Sequence, residues 1–87
     1  MKFIKFGYQT YNGPMYEYVA LNLFKIISYK PEDNSFYAIY SDSAKYDDRE
    51  IGQEVEDMCL EEFDEFLNSR EESSDMKVFP IFFKEKG

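Results

Sequence analysis

Histidine and tryptophan are absent from this chain of 87 residues, and cysteine occurs once. Without histidine no side chain has an ordinary pKa near neutrality, and one thiol cannot assemble the usual zinc ligand sets. A single cysteine also rules out an intrachain disulfide. Cys59 falls among Val55, Phe63 and Phe66, an apolar setting that reads as a buried structural thiol rather than a nucleophile. The four glycines, at 7, 13, 52 and 87, are too scattered to form a phosphate-cradling loop. Asp47 to Gly52 superficially suggests a calcium loop, but its third position is Arg49 and its twelfth is Met58, so the pattern fails. No stretch approaches the roughly 18 uncharged apolar residues of a membrane span. Met1 to Lys5 lacks the apolar run of a secretion signal. Together these absences predict a cytoplasmic protein with no catalytic residues, no cofactor, no metal and no membrane association.

What is present predicts a folded domain. Hydrophobic residues make up 44% of the chain and aromatics 20%, enough for one core within a single domain spanning residues 1–87. Ile4, Phe6 and Tyr8 alternate along residues 2–9 and predict a strand. Asn12-Gly13-Pro14 marks a turn. Residues 15–29 are almost continuously apolar and rich in aromatic and β-branched side chains, which favours a long or bent strand, with a short helix over 15–23 as the alternative. The Lys30–Asn34 turn and the run Ser35–Ser41 complete a hairpin.

Residues 42–52 read as polar and irregular. A helix then runs from Glu50 or Gln53 to Ser69, with Ile51, Val55, Met58, Cys59, Phe63, Phe66 and Leu67 on its core side. Asp47 or Asp48 would cap it. After a charged loop from Glu71 to Asp75, Met76–Lys84 is a last strand, which Pro80 places at a sheet edge or bulge. The expected fold class is α+β: a small antiparallel sheet of about four strands in the order β-β-β-α-β, with one acidic amphipathic helix packed on it.

Charge is the most informative feature. The chain holds 18 acidic and 10 basic residues, a net of −8. Fourteen of the acids lie within residues 42–75 against three bases, so that segment carries −11 and the remainder +3. From Glu50 to Ser69 there are eight carboxylates and no lysine or arginine. Solvated helices usually intersperse Glu with Lys, because each i,i+4 pair contributes roughly 0.2–0.5 kcal/mol. On a helix, Glu54, Asp57, Glu61, Asp64 and Glu65 would share one arc, with four-residue steps of about 6 Å, close to the repeat of phosphates along a nucleic-acid strand. Such a ladder suits a basic groove and repels nucleic acid itself.

Tyrosine is the second signal, since all eight lie within the first 46 residues. Along Ser35–Ser41, Tyr37 and Tyr40 point to opposite faces, so one of them should meet solvent or a partner. The expected partner-binding residues are therefore Glu54, Asp57, Glu61, Asp64 and Glu65, with Asp47, Asp48, Tyr37 and Tyr40 flanking them. The expected function is inhibition of a nucleic-acid-processing protein by occupying its basic site, in the manner of phage anti-restriction or anti-CRISPR proteins. An immunity protein or antitoxin against a cationic nuclease is the alternative. An assembly subunit with no inhibitory role is the third.

Overall fold

The computed structural model describes residues 1–70 and 75–85. Most of the charged loop expected at Glu71–Asp75 lies outside the described residues. Among these residues six strands form two three-stranded sheets, with one α-helix beside them. The α+β class is as expected, but the strands are more numerous and divided between two layers.

β1 (Lys2–Thr10) and β2 (Gly13–Ala20) make an antiparallel hairpin. Gly13 has φ 110°, a left-handed conformation that fixes glycine at this turn. A 3₁₀ turn, Leu21–Leu23, breaks the apolar run and sends β3 (Phe24–Lys30) into the second sheet. The continuous strand expected over 15–29 is thus two strands with a corner between them. β3 pairs with β4 (Ser35–Asp42) through the Pro31–Asn34 turn, and β4 pairs with β5 (Asp47–Glu54), all antiparallel.

After β5 comes α1 (Leu60–Asn68), then β6 (Lys77–Phe82), which runs parallel to β1 at the sheet edge. Pro80 therefore sits on an edge strand, as its missing N–H requires. The parallel pairing departs from the all-antiparallel expectation. Its cause is α1, which returns the chain so that β6 enters alongside β1 in the same direction.

The two sheets join at one corner. Val55 bridges to Phe83, and the Glu56 amide donates to the Phe82 carbonyl (2.7 Å), as the Lys84 amide does to Glu54 (2.9 Å). Between the layers lie Ile4, Phe6, Val19, Phe36, Ala38, Ile51, Val55, Ile81 and Phe83, all buried. Phe6 stacks on Phe83 with centroids 5.5 Å apart and packs against Phe36 at 5.6 Å. α1 inserts Phe63 against Phe36 and Phe79, and Phe66 against Phe79, so the helix contacts both sheets.

The helix is nine residues long, and its expected first half is strand. Ile51 and Val55 stand four apart, a spacing that satisfies both helical i,i+4 and strand alternation. Backbone pairing with β4 decides between them: Ala38 opposes Ile51 and Tyr37 opposes Gly52. Gly52 also suits the strand, because the Tyr37 ring lies across it and a Cβ there would come within 3.1 Å of that ring. Cys59, expected within the apolar helix face, is instead exposed at the N-cap of α1. Leu67 offers its carbonyl to the ammonium of Lys2 (3.1 Å), a buried cation at the negative end of the helix.

Candidate functional site

Strand β5 turns alternate side chains to opposite faces. Ile51 points into the core, while Asp48, Glu50 and Glu54 occupy the outer face with Tyr37 of β4 beside them. These strand carboxylates have local partners. Lys25 pairs with Asp48 (2.8 Å), Lys84 with Glu54 (3.4 Å), and the Tyr37 hydroxyl donates to Glu50 (3.2 Å). Asp47 is exposed at the start of the strand rather than capping a helix.

Beyond β5 the chain bends through Glu56 and Asp57, both exposed, with Asp57 at φ 30°. α1 then presents Glu61, Glu62, Asp64 and Glu65 to solvent, opposite Phe63 and Phe66. Among the described residues none of these four carboxylates makes an ion pair or accepts a hydrogen bond. The single helical ladder from Glu54 to Glu65 does not exist. Glu54 belongs to a strand and is paired, Asp57 lies in a bend, and only Glu61, Asp64 and Glu65 share a helical arc. Glu61 and Glu62 sit in the first turn, where the helix dipole favours anions, whereas Asp64 and Glu65 lie past it.

Tyr37 and Tyr40 do face opposite ways. Tyr37 is 39% exposed, but Tyr40 is 3% exposed and is not presented to a partner. Its hydroxyl donates to Glu17 Oε1 (2.7 Å), Tyr8 donates to Glu17 Oε2 (3.1 Å), and Arg49 Nη1 reaches Glu17 Oε1 (2.9 Å). The Arg49 guanidinium lies 5.4 Å from the Tyr40 ring centroid and 3.9 Å from Asp42. One carboxylate thus ties β1 and β2 of one sheet to β4 and β5 of the other. Burial, then the hydrogen bond and negative charge of Glu17, push the Tyr40 phenol up to about 12. Burial and the same carboxylate push Tyr8 upward too. For Arg49 desolvation works against the charge, but Glu17 and its other neighbours outweigh it and the net shift is upward. Sequence reading missed this cluster because Glu17 is a lone acid in an apolar run, and its three partners come from three other strands.

The surface also holds a second feature that the residue pattern did not separate from the core. Outward positions of β1, β2 and β6 carry Tyr16, Tyr18, Val78 and Phe82, each at least 40% exposed, around Lys5. Open concavities include about 480 Å³ over Gly52 and Tyr37, about 450 Å³ beside Tyr8 and Thr10, and about 270 Å³ over Gly7 between Tyr16, Phe82, Glu56 and Glu85. No group of three His, Cys, Asp or Glu converges for a metal among the described residues, and no described helix is long and apolar enough to cross a membrane. Compared with protein-family models, curated proteins and solved structures, the chain matches none.

Proposed function

We propose that this chain is a non-catalytic binding protein that docks its acidic surface on a basic protein surface of the kind that takes nucleic acid, and blocks it. One contrast carries the reading. Lys25, Lys84 and Arg49 are spent on carboxylates of the strands, while those of α1 stand bare among the described residues. Glu61–Glu65, Glu61–Asp64 and Glu62–Glu65 are like-charge neighbours at i,i+4 or i,i+3 and together cost about 0.6–1.5 kcal/mol at low salt. A cationic partner removes that cost and gains from steered association.

The docking surface is smaller than the sequence suggested: the outer side of α1 with the Glu56–Asp57 bend, flanked by the partly neutralised edge of β5. Glu61 and Glu65 keep a step of about 6 Å along the helix, so two or three phosphate positions are imitated rather than five. The test is affinity capture from a lysate of the native host with the wild-type chain and with Glu61→Gln/Asp64→Asn/Glu65→Gln. A basic partner retained by the wild type, released by competing DNA or RNA and lost with the triple variant supports the reading. A captured partner that is indifferent to the triple substitution refutes it.

A further inference from the structure

We infer that the outer face of the β2-β1-β6 sheet is a homodimer interface, a second copy of the same chain being its occupant. This inference is independent of the acidic surface. A three-stranded sheet packed on one side should turn polar residues to water on the other. The inner face obeys, with Ile4, Phe6, Val19 and Ile81 buried. The outer face does not: Tyr16 and Tyr18 of β2 and Val78 and Phe82 of β6 are 40–58% exposed. Gly7 leaves a gap between them that the Phe82 ring covers, a Cβ there falling 2.5 Å from that ring. Phe82 and Tyr16 thereby form one continuous apolar row across the sheet.

These side chains and Pro80 leave on the order of 500 Å² of largely apolar surface in water, at the upper end of the ~300–600 Å² of the largest patch on a typical monomer. Two copies face to face reach the ~1,000 Å² that marks the lower bound of a specific interface. Apolar area, not charge, selects the occupant. The outward positions of this sheet carry Lys5 and no carboxylate, while Glu56 and Glu85 lie at its rim beside Tyr16 and Phe82. Two copies each carry −8 and repel at long range, so their association rests on the buried apolar surface, and salt, which screens that repulsion, should not weaken it.

The patch is also self-complementary, as a two-fold interface demands. Lys5 lies 4.3 Å from the Tyr16 ring centroid and more loosely, 5.7 Å, from that of Tyr18, its register partner in the hairpin. A two-fold axis near the Lys5–Tyr18 pair sets the ammonium of each subunit against the open Tyr18 face of the other.

Sedimentation of the full chain from 5 to 500 µM, at low and at high salt, tests the inference. The expected result is a monomer–dimer equilibrium with a midpoint in the tens to hundreds of micromolar, undiminished by salt. Tyr18→Glu should weaken it at least tenfold and Tyr18→Phe should retain it, both with unchanged circular dichroism and melting. A wild-type chain monomeric at 500 µM overturns the proposal. So does a dimer that ignores Tyr18→Glu, or one that dissolves in salt and depends on Glu61 and Glu65.

Discussion

Replacing Glu17 by alanine should be among the most damaging single changes available in this fold, although the residue is charged and partly accessible. Its carboxylate accepts from Tyr8, Tyr40 and Arg49. Removing it strands the Tyr40 hydroxyl, whose residue is 3% exposed, and a buried donor left unsatisfied costs about 1–3 kcal/mol. The lost Tyr8 bond adds about 1 kcal/mol, and the Arg49 pair, with its arginine 43% exposed, adds at most ~1 kcal/mol. The sum is roughly 2–5 kcal/mol from a domain expected to hold on the order of 5–10. With a urea dependence of about 1 kcal/mol per molar, the unfolding midpoint should fall by roughly 2–5 M. Glu17→Gln keeps an acceptor for one hydroxyl and should lose about half as much. In a double-mutant cycle, Glu17→Gln and Tyr40→Phe should couple by at least ~0.5 kcal/mol. A Glu17→Ala midpoint within ~0.5 M of wild type would show that the two sheets do not depend on this carboxylate.

Alkali should reveal the same cluster. The unfolded Tyr40 phenol ionises near 10 while the folded one is held to about 12, so its contribution is full below pH 10 and lost as pH rises toward 12. Urea melts at pH 9, 10.5 and 12 should show that loss, on the order of 2 kcal/mol, shrinking in Tyr40→Phe. Lys2→Met removes the cation at the α1 C-terminus and should cost about 1 kcal/mol, read as a lower melting temperature with little change in the β signal. Cys59 is exposed, so a thiol reagent should modify it fully in native buffer within minutes; reaction only in denaturant would place it back in the core.

Those residues also mark how far the sequence could be read. The alternation in Lys2–Thr10, the Pro31–Asn34 turn and the edge position of Pro80 were each legible because one local rule decides them. Residues 47–59 were not, because Ile51 and Val55 fit two periods at once and only the opposing strand β4 chooses between them. The corner at Leu21–Leu23 was hidden for a related reason, since an apolar run carries no sign of where it turns from one sheet to the other. For the candidate site, the acidic bias of the segment and the opposed faces of Tyr37 and Tyr40 could be read directly. The shared helical arc could not, since it assumed a helix that β5 replaces. The aromatic outer sheet face went unseen because strand propensity and surface tyrosine look alike in sequence.

Strand β6 has a kinetic meaning as well. It docks beside β1, pairing Lys77 with Lys2, so β1 waits for a strand made much later before its second edge is satisfied. Closing so long a loop is entropically slow, and until β6 arrives the β1–β2 hairpin carries bare amides on the β1 side. That interval, rather than the finished molecule, is when the protein is most open to pairing with a neighbour's strand. Shortening the chain before Lys77 should therefore yield aggregates instead of a smaller soluble domain.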